Sequence, residues 1–124
     1  MKRVQLSSPF FAPLLLFFLL LAACSMKKAT RIEVVNKNPY AIDFTVKANN
    51  IRHTVQDLKP GESRQEMMDW TAIEKVDGQW ILLVRNLQSG GVDSFAHGFF
   101  TKGELSNFLD AESMGSQLKV KVSE

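Results

Sequence analysis

The segment from Tyr40 to Ala48 alternates between apolar and polar side chains, and this pattern constrains the fold more than any other. Successive residues of a β-strand point to opposite faces of a sheet. The apolar set is Ile42, Phe44, Val46 and Ala48, and the polar set between them is Asp43, Thr45 and Lys47. Such alternation is typical of an antiparallel strand that buries one face and exposes the other to water.

Further strand-like segments recur along the chain and are separated by turn residues such as Asn49-Asn50 and Pro60-Gly61. They cover residues 31–35, 51–56, 79–87, 93–100 and 118–122. Strands and turn signals at this spacing predict an all-β fold, a small antiparallel β-sandwich of about seven or eight strands. Because the connections are short, we expect antiparallel pairing throughout. Segment 79–87 is apolar at both alternations, which predicts a central strand covered on both faces.

Two segments allow either a helix or strands. Residues 62–76 carry apolar side chains at a helical spacing, but Asp77-Gly78 is a strong hairpin signal. We favour two strands broken near Asp69, the second pairing residues 73–76 with 79–84. Residues 104–112 are compatible with one short helix, capped by Thr101 and Glu104, or with another strand.

The turn Leu58-Lys59-Pro60-Gly61-Glu62-Ser63, which follows an earlier Asn38-Pro39 turn, resembles those of bacterial immunoglobulin-like and related sandwich domains. The resemblance covers two short motifs and concerns the fold alone. It implies a two-layer β-sandwich and no particular activity.

The first residues of the chain have the organisation of a signal peptide. Lys2 and Arg3 precede an unbroken apolar run of 14 residues, 10–23. A helix needs about 20 apolar residues to cross a hydrocarbon core of about 30 Å, so this run is too short to span a bilayer stably. Its length and basic flank are typical of a cleaved leader.

The leader ends in Leu21-Ala22-Ala23-Cys24, which resembles the lipobox of bacterial lipoproteins. The resemblance implies that the Cys24 thiol is alkylated by a diacylglyceryl group and that cleavage occurs just before it. It divides the chain into a signal peptide (1–23), a lipidated tether (24–30) and one β-sandwich domain (31–124). Ser25, rather than Asp, after the cysteine implies a location in the bacterial cell envelope, at the outer membrane and facing the periplasm.

Charge and cysteine content narrow the classes of partner. The chain has 15 basic and 13 acidic residues, and the leader contains Lys2 and Arg3 but no acid, which leaves 13 of each. A near-neutral domain lacks the basic stripe that nucleic-acid binding requires. Cys24 is the only cysteine, so no disulfide can form within the domain, and lipidation explains an unpaired exported thiol.

No catalytic constellation is visible, so we expect a protein that is not an enzyme and holds no cofactor. Ser94 and His97 are close in sequence, but residues three apart on a strand face opposite sides. His53 and His97 are the only histidines, and nothing near them has the spacing of metal ligands.

Apolar side chains at successive positions give the only other candidate site. Met68, Trp70, Phe99 and Phe100 form a candidate partner-binding patch, since Trp, Met and Phe are favoured at interface centres. The alternative is that these residues cap the ends of the core.

The sequence therefore favours a membrane-anchored envelope lipoprotein that acts as a non-catalytic binding module for an envelope protein. Three alternatives remain open. The first is an assembly accessory, such as a pilotin-like or secretion-system lipoprotein. The second is an inhibitor or small-ligand-binding lipoprotein, and the third is a carboxylate-dependent enzyme.

Overall fold

Eight β-strands build the part of the chain that the computed structural model describes, residues 28–124; the leader and Cys24 lie outside it. The strands are β1 (Ala29–Asn36), β2 (Ile42–Ala48), β3 (Ile51–Leu58), β4 (Ser63–Asp69), β5 (Gly78–Asn86), β6 (Val92–Phe100), β7 (Phe108–Met114) and β8 (Gln117–Ser123). Among residues 28–124 there is no helix.

The strands form two four-stranded sheets that pack as a sandwich. One sheet has the order β4-β1-β7-β8 and the other has the order β3-β2-β5-β6. The predicted all-β sandwich of about eight strands is confirmed. All pairs are antiparallel except β1 and β7, which run parallel with Ile32 opposite Leu109. The expectation of antiparallel pairing throughout was wrong at this pair, because β1 and β7 are not joined by a hairpin and both start from the same end of the sandwich.

The core lies between the sheets and is built by the alternating residues of their inner faces. The apolar set of β2 is fully buried, as the alternation predicts. It packs with Ile32 and Val34 of β1, Leu82 of β5 and Leu109 of β7 in one cluster. Burial of apolar surface at about 25 cal/mol per Å² is the main force that holds the two layers together.

Residues 70–77 form a loop, and the predicted hairpin between 73–76 and 79–84 was wrong. The β2–β3 turn takes the hydrogen bonds that a strand would have used. Asn49 Nδ2 donates to Glu74 O (3.1 Å) and Val76 O (3.0 Å), and Asn50 Oδ1 accepts from Glu74 N (2.7 Å). A local hairpin signal such as Asp77-Gly78 does not reveal hydrogen bonds that come from the side chains of a distant turn.

The first part of the ambiguous segment 62–76 is a strand, as favoured, since β4 pairs with β1 from Ser63 to Asp69. The short helix considered for 104–112 was wrong. Glu104 N donates to Thr101 O in a turn, and β7 then begins at Phe108. Pairing with both β1 and β8 outweighs the helical capping signal because it supplies residues 108–112 with sheet partners on both sides.

Two buried asparagines join the sheets at the end of the sandwich where β1 ends. Asn36 Nδ2 donates to Tyr40 O and Leu58 O, both at 2.9 Å. Its Oδ1 accepts from Asn38 N and Asn38 Nδ2, also at 2.9 Å. Asn38 continues the network, since its Nδ2 donates to Ser113 Oγ (3.0 Å) and its Oδ1 accepts from Gly115 N (2.6 Å).

We predict that Asn36→Asp destabilises the domain by about 2–4 kcal/mol at neutral pH, because a carboxylate would face the two carbonyls that Nδ2 now satisfies. Urea unfolding followed by tryptophan fluorescence measures this loss. Asn86→Asp is the matched control: Asn86 Oδ1 only accepts, from Gln88 N and Ser89 N in an exposed turn, and a carboxylate accepts equally well. Equal effects of the two substitutions would contradict the role assigned to Asn36.

Candidate interaction surface

Strand β5 is apolar on both faces, but the described residues cover only one of them. Trp80, Leu82 and Val84 point into the core and are buried. Ile81 and Leu83 point to the outer face and remain partly exposed. The predicted central position of β5 is confirmed, since it pairs with β2 on one side and β6 on the other. The expected second cover is not supplied by any element within residues 28–124.

Strand β6 extends this apolar outer face. Ala96 lies opposite Ile81, and Val92 and Phe99 lie opposite outward-facing polar residues of β5. Phe99 is 82% exposed and Val92 is 54% exposed. We call the resulting surface the β5–β6 strip; it consists of Ile81, Leu83, Val92, Ala96 and Phe99.

A bulge at Gly98 explains why Phe99 is exposed whereas Phe100 is buried. The register shifts here: His97 lies opposite Trp80 and Phe99 lies opposite the preceding residue, Gln79. Gly98 is therefore an extra residue, with φ +61°, in the left-handed region that glycine adopts without strain. Phe100 then turns inward, where its ring meets Trp80 edge-on at 5.9 Å.

Of the four patch residues predicted from the sequence, the structure leaves only Phe99 at the surface. Met68, Trp70 and Phe100 belong to the core cluster. Trp70 is also held by its indole, whose Nε1 donates to Thr30 Oγ1 at 2.9 Å. These three residues therefore have the alternative role considered for them, at the ends of the core. Cys24, the predicted lipidation site, lies outside the described residues.

Basic side chains border the β5–β6 strip. Lys47 of β2 lies between Ile81 of β5 and Arg52 of β3, and Arg85 lies opposite Val92 at the far end of the strip. Asp43 lies opposite Arg85, and its carboxylate also accepts from Asp57 N at 2.8 Å. The strip is thus an apolar surface with a mainly positive border.

Charged residues also gather where β3 and β4 meet at one side of the sandwich. His53 Nε2 lies 2.7 Å from Glu66 Oε1, and Arg64 lies 3.0 Å from Glu62 and 3.8 Å from Glu66. The backbone N–H of Lys59 and the Arg64 guanidinium hold the pKa of Glu62 below its usual range. These groups therefore bond to one another across the edge between the two sheets.

Ser94 and His97 do not approach each other. Ser94 lies opposite Leu83 on the outer face, and His97 lies opposite Trp80 on the inner face. The prediction that these two residues face opposite sides is confirmed. Within residues 28–124, no three His, Cys, Asp or Glu side chains are grouped as metal ligands would be. In the same range, the structure has no helix with the length and apolar character needed to span a bilayer.

Comparison with known proteins adds little. No family model matches the chain, and no curated protein matches it. A solved structure described as the NMR structure of the protein from Eubacterium rectale is similar, with 17% identity and a TM-score of 0.49. The match covers 77% of this chain and 89% of that chain. A likeness of this size supports no argument about function.

The sequence interpretation included Phe99 but missed the rest of the strip. The signal was present in segment 79–87, whose two apolar faces were interpreted as two buried faces. Val92 gave no signal of its own because it is a single apolar residue between Gly91 and Asp93, and Ala96 gave none because its side chain is small. Their contribution depends on the β5–β6 register.

We predict that two adjacent substitutions differ sharply in their effect on stability. Phe100→Ala should cost about 3–5 kcal/mol, because it removes a buried ring from the core. Phe99→Ala should change stability by no more than about 0.5 kcal/mol, since that ring makes little contact with the rest of the domain. Thermal and urea unfolding of both variants measures the difference, and similar losses would show that Phe99 belongs to the core.

Proposed function

We propose that this protein is a lipid-anchored component of the bacterial envelope, held at the outer membrane through Cys24 and facing the periplasm, that binds an envelope protein without catalysing a reaction. The observation that carries the binding role is the β5–β6 strip. A strand that is apolar on both faces is typical of a sheet covered on both faces. The strip lacks such a cover within residues 28–124, and a protein partner would supply it.

The composition of the strip supports a protein partner of definite chemistry. Aromatic and aliphatic groups such as Phe99 and Leu83 suit the dry centre of an interface, and charged groups suit its rim. Since Lys47, Arg52 and Arg85 border the strip, the complementary surface would be apolar with acidic groups around it. The rim charges would guide association, and Phe99 would contribute most of the affinity.

The non-catalytic role is supported by the contacts of the titratable side chains, which bond to one another or lie apart from the groups that could activate them. The charged cluster between β3 and β4 is occupied by its own hydrogen bonds and ion pairs. Within residues 28–124, His97 of β6 faces the inner side of its sheet opposite Trp80, whereas Ser94 faces the outer side. The role as an anchored module is supported by the leader and by Leu21-Ala22-Ala23-Cys24.

The anchor is tested by Cys24→Ala. We expect the wild-type chain to incorporate labelled palmitate and to fractionate with membranes, because two or three acyl chains hold a protein at a bilayer lastingly. The variant should lose the label and accumulate as an unprocessed or soluble form. A Cys24→Ala chain that still takes up palmitate and remains with membranes would show that the lipobox interpretation is wrong.

The binding surface is tested by affinity capture from solubilised envelopes, followed by mass spectrometry. We expect Val92→Glu with Phe99→Glu to lower the recovery of the partner about 30-fold or more, the effect of removing an interface hot spot.

The matched control carries the same charge change on the other outer face. Met67→Glu with Met114→Glu replaces two exposed side chains, at 56% and 50% exposure, on the sheet that contains β4 and β7. This control should keep full recovery. Two results would overturn the proposal: no partner above a control lipoprotein, or equal recovery with both double variants.

A further inference from the structure

Each sheet of the sandwich ends in a strand with a free edge, and both free edges lie on the same side of the molecule. On the opposite side β3 meets β4, where His53 Nε2 lies 2.7 Å from Glu66 Oε1. The strand orders β3-β2-β5-β6 and β4-β1-β7-β8 then place β6 and β8 together on the other side. Within residues 28–124, β6 pairs only with β5, and β8 pairs only with β7. The backbone groups that point outward from these two strands are therefore open to an added strand.

The inner face of β6 carries an acid and a base placed symmetrically about an aromatic ring. Asp93, Phe95 and His97 all face inward, since they alternate along the strand and His97 lies opposite the buried Trp80. Phe95 packs against the core cluster but is only partly buried, and Asp93 is exposed. Neither Asp93 nor His97 forms an ion pair with another residue of the described range 28–124.

A second copy of β6, running antiparallel to the first about a twofold axis, complements all three inward side chains. When Phe95 lies opposite Phe95 of the second copy, Asp93 lies opposite His97 of that copy, and His97 lies opposite Asp93. An imidazole N–H donates to a carboxylate, and aromatic or oppositely charged residues stabilise a sheet when they lie opposite each other. The neighbouring registers, centred on Ser94 or Ala96, do not place Asp93 opposite His97. The charges therefore select a single register.

The other free edge, β8, lacks this complementarity. Its outer face carries Lys119 and Lys121, and the strand contains no acidic residue. Two β8 strands side by side would bring lysines close to one another, and lysine on an edge strand is typical of an edge protected from pairing. An inward-pointing charge also discourages pairing at an edge. At β6 the two inward charged groups are complementary, so pairing about a twofold axis satisfies both.

We propose that β6 is the interface of a homodimer, in which two copies pair antiparallel with Phe95 on the twofold axis and Asp93 opposite His97 of the second copy. The two sheets that contain β6 then become one continuous sheet. On its outer face Ser94 lies opposite Ala96 of the second copy, so the two β5–β6 strips join into one surface. This inference depends on the described strands alone and does not require the lipid anchor.

The charge pairs are tested on the full-length chain, extracted with a non-ionic detergent, by sedimentation equilibrium over a dilution series. His97→Asp places two carboxylates opposite each other at both symmetric positions, so it should raise the dissociation constant of the dimer about tenfold or more. Exchanging the two groups, by Asp93→His with His97→Asp, restores an acid opposite a base and should return the constant to within about threefold of the wild-type value.

The matched control is Gln117→Asp, which adds a carboxylate to the β8 edge and should leave the dissociation constant unchanged. Three results would overturn the proposal. They are a wild-type chain that stays monomeric, a His97→Asp chain that dimerises as well as the wild type, and an exchange variant as weak as His97→Asp. Rescue by the exchange also shows that the single substitution acts at the interface, since a loss of folding would not be reversed by it.

Disulfide cross-linking tests the register. Ser94→Cys and Ala96→Cys are made in two differently tagged copies that are expressed together and then oxidised. In the proposed dimer these positions lie directly opposite, with Cα atoms about 4.5–5.5 Å apart, which a disulfide can bridge. Two copies of Ser94→Cys are diagonal neighbours about 7–8 Å apart, which is too far without backbone movement.

We expect the mixed pair to cross-link at least about fivefold more than either variant with itself, because of this difference in separation. The chain without an added cysteine measures the background from Cys24. Preferential cross-linking of Ser94→Cys or of Ala96→Cys with itself would centre the pairing on that residue and overturn the proposed register. Cross-linking of the mixed pair at the background level would overturn the β6 interface altogether.

Discussion

The buried amide network of Asn36 and Asn38 is the interaction on which the arrangement of the two sheets depends most. Hydrophobic burial draws the layers together without fixing how they meet, because it has no direction. The Asn36 side chain has two donors and one acceptor oxygen, and all are used on groups from different parts of the chain. Through Leu58 and Ser113 the network reaches the ends of β3 and β7, one in each sheet. An alternative packing of the same strands would leave these buried groups without partners, at a cost of about 1–3 kcal/mol for each.

Most strands could be predicted from the sequence, because the alternation of apolar and polar residues indicates one buried face. This pattern can be recognised without knowing which strands lie beside it. β2 is the clearest example, and β8 follows the same rule. The failures occurred where a distant segment decides the local structure. Residues 73–76 form a loop because Asn49 and Asn50 bond to its backbone, and residues 108–112 form a strand because β1 and β8 lie on either side of them. Local signals such as Asp77-Gly78 cannot compete with contacts of this kind, and a single sequence does not display them.

The difference between local patterns and contacts with distant segments also explains how much of the candidate surface could be predicted. Successive apolar residues such as Phe99-Phe100 show that one side chain must face outward, but not which one. The answer depends on the Gly98 bulge, which changes the direction of both rings. The sequence of β5 likewise showed that both of its faces are apolar. Only the strand order of the sheets showed that no element of residues 28–124 covers the outer face. The surface therefore follows from register and topology, which are properties of pairs of strands.

The fold places the start of the described chain and the β5–β6 strip in different sheets. The described chain enters the sandwich at Lys28, just before β1, whereas the β5–β6 strip runs along the strands of the other sheet. Under the proposed anchoring at Cys24, a short tether would restrict the orientations available to the sandwich before a partner arrives. Restricting orientation in advance lowers the entropic cost of association. In the proposed arrangement, the anchor would both hold the domain at the membrane and restrict the orientation of the β5–β6 strip toward a partner in the same envelope layer.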